Sequence, residues 1–168
     1  MTPERFSKLK AVLSRRQPDL SILAADVHKP HNISAILRTC DAVGVHQIHA
    51  VSTTGEMRRH HMSAGGSGNW VEIDFFPDIT TATASLRESG WKLLAAHPGP
   101  DARDYREIDY QEQVAIVLGS ELNGLEPEAV EQADEVISLP IHGMVASLNV
   151  SVAAAVILYE AQRQRSEA

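Results

Sequence analysis

The sequence contains a single cysteine, few aromatic residues and no long apolar run. Because Cys40 has no second cysteine to pair with, an intramolecular disulfide framework is excluded and a reducing compartment is expected. Cys40 lies in an apolar helical stretch without an obvious base, so we expect it to be packed in the core. The longest apolar stretch, Val152 to Leu158, is too short to cross a bilayer, and the polar residues after Met1 do not form a secretory leader. We therefore expect a cytoplasmic protein that makes no membrane contact.

Two common nucleotide-binding motifs are missing as well. The sequence has no Gly-x-x-x-x-Gly-Lys-Ser/Thr loop, and no Gly-x-Gly-x-x-Gly follows its first predicted strand. These absences disfavour phosphate-loop ATPases and ordinary dinucleotide-binding proteins. Histidines are crowded in the first 61 residues, but zinc sites usually add cysteines or a helical His-Glu-x-x-His motif, so we expect no metal.

What is present is an ordinary globular composition with an uneven charge distribution. Apolar residues make up 43% of the 168 positions and charged residues 22%, which is enough for one core, and the formal net charge is -7. Residues 1–62 carry nine basic and five acidic side chains, whereas the rest carries six basic and seventeen acidic ones. Because nucleic-acid binding depends on Lys and Arg, the N-terminal part is a candidate face for nucleic acid. A solvated surface with scattered charge is the alternative.

Apolar runs rich in Val, Ile and Leu alternate with segments of helical spacing, which is typical of an α/β fold. No repeat or linker interrupts the alternation, so one domain is expected. The predicted strands are Leu20 to Val27, His46 to Ser52, Trp70 to Phe75, Trp91 to His97, Val114 to Gly119 and Glu135 to Leu139. The predicted helices are Arg5 to Arg16, His31 to Val43, Ile79 to Ser89, Pro127 to Gln132 and Ser147 to Arg165.

Two loops follow predicted strands at the position where α/β sheets commonly bind ligands. In the loop from Gly119 to Leu125, glycines allow the backbone to approach a ligand, and Glu121 supplies an anionic acceptor. The loop from Pro140 to Asn149 opens the last helix, and its backbone groups and apolar flanks could grip a purine. The alternative is a tight turn and a helix cap, with Ser147 as the N-cap.

A third segment, His28 to Thr39, begins the second predicted helix. Pro30 suits the first turn of a helix, and Asn32 and Arg38 are separated by nearly two turns, so they need not share one face. An arginine at this position could hold a phosphate with two hydrogen bonds. A capped helix with an exposed arginine is the alternative.

Taken in order, the three segments resemble the three motifs of the SpoU/TrmH branch of the SPOUT RNA methyltransferases. The residues that carry this resemblance are Asn32 with Arg38, Gly119-Ser120-Glu121 with Gly124, and Leu139-Pro140 through Ser147-Leu148-Asn149. The resemblance extends through nearly the whole chain. The blocks that are specifically similar to the tRNA-modifying members of the branch are His28 to Val45, Arg106 to Tyr110 and Gly143 to Arg165.

The resemblance implies an α/β fold of the SPOUT type, in which helices flank a mainly parallel sheet and a deep trefoil knot lies near the C-terminal end. It implies a single SPOUT methyltransferase domain over residues 1–168, with a basic RNA-binding helix in residues 1–18 and the knot and cofactor pocket in residues 114–165. It also implies a homodimer in which the knot regions pack together, with the helix from Ser147 to Leu158 as part of the interface. S-adenosylmethionine is the implied cofactor and tRNA the implied partner.

The implied activity is S-adenosylmethionine-dependent 2′-O-methylation of a ribose in RNA, as in the members that modify guanosine 18 in the D-loop of tRNA. Another nucleotide of tRNA or rRNA is an alternative, and so is a noncatalytic dimeric RNA-binding protein. The implied catalytic residues are Arg38, Asn32, Glu121, Ser147 and Asn149. The implied cofactor contacts are Ala96, Gly119, Glu121, Leu139, Met144 and Leu148. The implied RNA-binding residues are Lys8, Arg15, Arg16, Arg163 and Arg165.

The resemblance makes Arg38 the central catalytic residue, for which a general-base role is proposed in the family. Because arginine is effectively always protonated, we instead expect its guanidinium to hold the adjoining phosphate or the developing oxyanion. A further expectation is that Thr53 to Ser67 form a mobile loop facing RNA, through Arg58, Arg59, His60 and His61.

Overall fold

The computed structural model describes residues 1–53, 55 and 70–166, which contain both helices and strands. The helices are α1 (Pro3–Leu13), α2 (Pro30–Val43), α3 (Ile79–Glu88), α4 (Pro127–Glu131) and α5 (Val150–Ser166). The strands are β1 (Leu20–Ala25), β2 (Gln47–Val51), β3 (Glu72–Phe76), β4 (Lys92–Ala96), β5 (Arg103–Asp104), β6 (Val114–Leu118) and β7 (Glu135–Ser138). A short 3-10 helix, Tyr105–Glu107, follows β5.

The seven strands form one sheet in the order β3-β2-β1-β6-β4-β7-β5, and each neighbouring pair is parallel. The central strand, β6, pairs with β1 so that Leu20 lies opposite Val114 and Ala24 opposite Leu118. All five residues of β6 are buried, because helices cover both faces of a parallel sheet. The predicted α/β class with a mainly parallel sheet is confirmed.

Two hydrophobic clusters, one on each face, hold the helices to the sheet. On one face α2 and α5 contribute Ile36 and Ile157, and on the other α3 and α4 contribute Leu86 and Ala129. Removal of this apolar surface from water is the main stabilising term of the fold. Cys40 belongs to the first cluster, and burial raises the pKa of its thiol to about 12. Its predicted packing role is therefore confirmed.

Strand β5, at the edge of the sheet, is the element that the sequence does not predict. Its two residues, Arg103 and Asp104, are polar and show no apolar alternation, yet they pair with β7. The chain then returns toward β6, and the buried Tyr110 fixes this return by donating a 2.8 Å hydrogen bond to the carbonyl of Tyr105. A strand of two residues is too short to show an alternating apolar pattern, so its pairing is set by tertiary contacts.

The last helix begins later than the sequence predicts. It starts at Val150 instead of Ser147, because Asn149 caps it: Asn149 Oδ1 accepts a 2.8 Å hydrogen bond from the backbone N–H of Ser151. Residues 139–149 consequently form an irregular loop. In the described ranges, every helix is too short or too polar to cross a membrane.

Candidate active site

A cavity of about 400 Å³ lies at the carboxyl ends of β4, β6 and β7. Its walls are formed by residues 96–98 after β4, residues 118–125 after β6, and residues 137–139 and 146–150 on the way to α5. This edge of a parallel sheet is the usual position for a ligand, and the volume suits a small organic molecule. The two loops that the sequence singles out therefore meet at one cavity.

The loop after β6 folds tightly back on itself. Ser120 and Gly124 exchange two backbone hydrogen bonds of 2.9 and 3.0 Å. A Cβ atom on Gly119 would overlap the backbone of Gly124, and Gly124 itself has a positive φ of 70°. Glycine at both positions thus allows the closed loop that carries Glu121.

Glu121 is the centre of a hydrogen-bond chain that joins all three motifs. Its Oε1 accepts a 2.9 Å hydrogen bond from the backbone N–H of Lys29 and another of 2.9 Å from Asn32 Nδ2. Asn32 Oδ1 accepts a 3.1 Å hydrogen bond from Asn149 Nδ2. Asn149 also caps α5, so this chain links the start of α2, the loop after β6 and the start of α5.

The Glu121 carboxylate is nearly inaccessible, with 5% of its side chain exposed. Burial pushes its pKa upward, but the hydrogen bonds from Asn32, Lys29 and His28 outweigh burial, so the pKa is lowered. The carboxyl group is therefore ionised at neutral pH. It places a fixed negative charge in the wall of the cavity.

The segment between β1 and α2 reaches this carboxylate through a strained turn. Asp26 has a positive φ of 55°, and its Oδ1 accepts hydrogen bonds from the backbone N–H and the hydroxyl of Thr53, at 2.7 and 2.8 Å. The turn directs His28 and Lys29 toward Glu121. Both residues contact the carboxylate of Glu121, although the sequence analysis assigns a role to neither of them.

Asn32 and Arg38 lie on different sides of α2. Six residues rotate a helix by about 240°, which places Asn32 in the interior with 1% of its surface exposed and leaves Arg38 exposed. Within the described ranges Arg38 makes no hydrogen bond or ion pair. Its guanidinium is therefore available to a partner, and it is not part of the cavity wall.

Most of the predicted cofactor contacts line the cavity. They are Ala96, Gly119, Glu121, Leu139 and Leu148, and Ser147 lies beside them. The structure does not bring Met144 to the cavity: residues 143–145 are exposed, and the Met144 side chain is fully accessible. Ile137 and Ile141 also line the cavity but are not predicted from the sequence, because isolated apolar residues carry no motif.

Three of the predicted RNA-binding residues lie on accessible parts of the surface. Lys8 and Arg15 are exposed, the first on α1, a helix without a buried side chain. Arg163 donates hydrogen bonds of 2.9 and 2.8 Å to Glu160 within α5. The expectation for Arg58, Arg59, His60 and His61 concerns residues outside the described ranges. No group of three or more possible metal ligands occurs in the part of the chain that is described.

The other two predicted RNA-binding residues also hold the fold together. Arg16 donates to the carboxylate of Asp41 at 2.8 Å and to the carbonyl of Val45 at 3.1 Å. Arg165 donates to the carbonyl of Tyr110 at 2.6 Å. Only 11% of either side chain is exposed. A substitution at either position would therefore disturb the fold in addition to any contact with RNA.

The fold and the site define an α/β ligand-binding protein whose cavity is closed by a glycine loop and an asparagine-capped helix. Residues 19–159 match the model of the SpoU rRNA Methylase family, and the chain belongs to that family. The resemblance carried by the three motifs is thus confirmed.

Individual relatives are similar over most of the chain. The chain is 52% identical over 167 residues to the tRNA (guanosine(18)-2'-O)-methyltransferase of Thermus thermophilus, covering 99% of this chain and 86% of the relative. The solved structure of the A. aeolicus TrmH/SpoU tRNA modifying enzyme has a TM-score of 0.86 and 39% identity, covering 98% of this chain and 84% of that one. The SpoU methyltransferase AviRb from Streptomyces viridochromogenes, solved in complex with AdoMet, has a TM-score of 0.75 and 27% identity, covering 92% and 62%.

Proposed function

We propose that this protein transfers the methyl group of S-adenosylmethionine to the ribose 2′-oxygen of guanosine 18 in tRNA. The name of the Thermus relative, 52% identical over nearly the whole chain, supports this activity. The structural observation that carries the proposal is the Asn149–Asn32–Glu121 hydrogen-bond chain, which holds three separate motifs around one cavity. The cytoplasm is the compartment that such a substrate implies.

The cavity residues fit S-adenosylmethionine. Ile137, Leu139 and Leu148 offer apolar surface to a purine ring, and the loop from Gly119 to Leu125 lines the cavity with backbone groups that can form hydrogen bonds. The carboxylate of Glu121 favours a ligand that carries a positive sulfonium charge. When bound, S-adenosylmethionine supplies a methyl group that is already activated, so the protein's main task is alignment.

The exposed Arg38 is proposed to act on the RNA. Its guanidinium can grip the phosphate beside the reactive ribose, or the negative charge that develops on the 2′-oxygen, with two parallel hydrogen bonds. Asn32, Glu121 and Asn149 hold the surrounding loops in place, and Ser147 contributes to the cavity wall.

A labelled-methyl assay with three versions of one tRNA tests this proposal. The versions carry guanosine, 2′-O-methylguanosine or 2′-deoxyguanosine at position 18 and are otherwise identical. We expect methyl incorporation only into the first. Equal incorporation into all three would point to another nucleotide, and calorimetric binding of S-adenosylmethionine and tRNA without any transfer would favour the noncatalytic alternative.

We also propose that the chain after β7 threads through the loop before β6 as a deep trefoil knot, in a single domain over residues 1–168. In this proposal residues 114–165 form the knot and the cofactor pocket. Support comes from the connection after β5, which closes over the end of α5: Tyr110 N–H donates to Gln164 Oε1 at 3.1 Å, and Gln164 Nε2 donates to the carbonyl of Ile108 at 3.0 Å. A crystal structure that traced an unthreaded backbone would refute the knot.

A homodimer built on α5 and the loops around the cavity is proposed as the functional assembly. Val152 and Tyr159 are seven residues apart on one face of α5, and they are 47% and 52% exposed, whereas Leu158 is buried. Leu122 in the loop after β6 is 85% exposed. Large apolar side chains in such positions commonly mark an interface, and a second copy of this chain is the partner proposed.

Sedimentation equilibrium tests this interface with single substitutions. We expect the wild-type protein to be dimeric at micromolar concentration and Tyr159→Asp to shift it toward the monomer, because a carboxylate would be buried without a partner. Leu13→Asp, at another exposed apolar position on α1, is the control and should remain dimeric. A monomeric wild-type protein would contradict the proposed dimer.

The basic helix in residues 1–18 is proposed to contact the tRNA backbone. We expect the double substitution Lys8→Gln, Arg15→Gln to weaken tRNA binding and to flatten its salt dependence, by about 0.7 to 0.9 in the logarithmic slope for each phosphate that is no longer neutralised. Lys10→Gln, on a different side of α1, is the matched control. The affinity for tRNA, measured between low and moderate salt, should be weaker in the double variant. The affinity for S-adenosylmethionine, measured by calorimetry, should be unchanged. An equal decrease in the affinity for the cofactor would contradict this division of roles.

A further inference from the structure

The proposed methyl transfer requires a group that takes the proton of the ribose 2′-hydroxyl. Arg38 stays protonated and cannot serve. Glu121 is also unsuitable, because Oε1 already accepts hydrogen bonds from Lys29 and Asn32 and because the lowered pKa makes its carboxylate a weak base. The acceptor must therefore be sought among the neighbouring side chains.

The His28 ring is held against this carboxylate. Its Nδ1 lies 3.0 Å from Glu121 Oε2 and 3.2 Å from the carbonyl oxygen of Asp26. Both neighbours are hydrogen-bond acceptors, so Nδ1 carries the hydrogen and Nε2 keeps its lone pair in the neutral ring. The His28 side chain is 41% exposed, in contrast to 5% for Glu121, so the ring is accessible where the carboxylate is not.

The backbone holds His28 beside two residues that line the cavity, Lys29 and Glu121. The backbone N–H of His28 lies 3.3 Å from Glu121 Oε2, and the adjacent Lys29 lines the cavity together with Glu121. The charged group in contact with the ring is the carboxylate of Glu121, whereas the neighbouring Asp26 carboxylate is held by Thr53 and Lys29 follows His28 in the sequence. His97 also lines the cavity, but no carboxylate or carbonyl orients its ring in the part of the chain described.

We propose that His28 is the general base of the methyl transfer, an inference that rests on the proposed function. A bond forms between the 2′-oxygen and the methyl carbon, and the carbon–sulfur bond breaks with its electron pair left on sulfur. The electron pair of the O–H bond stays on oxygen while His28 Nε2 takes the proton. The positive charge thus passes from the sulfonium to the imidazolium, which the ionised Glu121 stabilises through Nδ1–H, and the proton is then released to solvent.

The variant His28→Asn distinguishes a role of His28 in proton transfer from a role in holding Glu121. His28→Asn keeps an N–H donor close to the place of Nδ1, so it can still hold Glu121, but it has no basic nitrogen. We expect it to lower the single-turnover rate about 10²-fold or more while the affinities for S-adenosylmethionine and tRNA are retained. His31→Asn, an exposed histidine on the same segment, should react at the wild-type rate.

The pH dependence gives a second, independent readout. The logarithm of the wild-type single-turnover rate should rise with pH and level off where His28 becomes neutral, and His28→Asn should lose this rise. An NMR titration of the His28 ring in the free protein should have the same midpoint. Imidazole added to His28→Ala should restore turnover in proportion to its neutral form.

The outcomes distinguish the two proposals. No transfer by the wild-type protein would refute the proposed function, whereas equal rates for the wild-type protein and His28→Asn would refute only the role of His28. A pH-dependent rise that persists in His28→Asn and disappears in His97→Asn would assign the proton to His97. A decrease in rate explained entirely by weaker cofactor or tRNA binding would reduce His28 to a positioning residue.

Discussion

Replacement of Arg38 by lysine should lower the single-turnover rate about 10²-fold or more, nearly as much as replacement by alanine. Arg38 is exposed and makes no hydrogen bond or ion pair within the described ranges, so its replacement should leave the fold intact. Lysine keeps the positive charge but lacks the planar fork that binds a phosphate or an oxyanion with two parallel hydrogen bonds. The geometry of the guanidinium, in addition to its charge, is therefore what the reaction should need.

Single-turnover rates for wild type, Arg38→Lys and Arg38→Ala, measured with saturating tRNA and S-adenosylmethionine, test this expectation. The affinity for S-adenosylmethionine serves as the control and should be unchanged in both variants, since Arg38 does not line the cavity. Near-normal turnover in Arg38→Lys would show that charge alone suffices and that two parallel hydrogen bonds are not needed.

Glu121→Gln should destabilise the folded protein by about 2 kcal/mol, because the variant replaces a charged acceptor by a neutral amide. The wild-type carboxylate accepts from the side chain of Asn32 and from the backbone of Lys29 and His28. An amide has only one acceptor oxygen, so its N–H₂ group would face one of these donors and leave it unpaired in the interior. Affinity for S-adenosylmethionine should fall as well, because the loop after β6 and its negative charge form the cavity wall.

Urea unfolding at a fixed protein concentration and calorimetry measure these two effects. Glu126→Gln, at an exposed carboxylate immediately before α4, is a matched control and should be neutral within error. Because the pKa of Glu121 is lowered in the folded state, its contribution is present at neutral pH and disappears as the pH falls through the folded-state value. The difference between wild type and Glu121→Gln should therefore shrink in acid. Equal stability at neutral pH would contradict a structural role for this carboxylate.

The parts of the fold that the sequence predicts are those with strong local signals. Strand β6 is a continuous apolar run and β1 is apolar except for Ser21. Helix α2 is capped by Gly44, which has the positive φ of 89° that glycine favours. Strand β5 lacks such a signal because its two polar residues pair only through tertiary contacts. The start of α5 is displaced to Val150 because Asn149 is the better cap than Ser147 once it is also bonded to Asn32.

The candidate site shows the same contrast between local sequence signals and tertiary contacts. The motifs single out Asn32, Glu121 and Asn149, and the structure joins their side chains by hydrogen bonds. These bonds link positions 89 and 117 residues apart, and spacing along the chain does not predict such pairings. Local sequence also does not distinguish a free arginine from a structural one. Arg38 is free within the described ranges, whereas Arg165 is held by the backbone of the loop before β6.

Mass spectrometry of a tRNA that has been incubated with the protein and S-adenosylmethionine is the most direct test of the central claim. After the tRNA is digested into fragments of known position, one added methyl group should be found on the ribose of guanosine 18, and the base should be unmodified. A methyl group on a base, or on a ribose at any other position, would contradict the proposed activity.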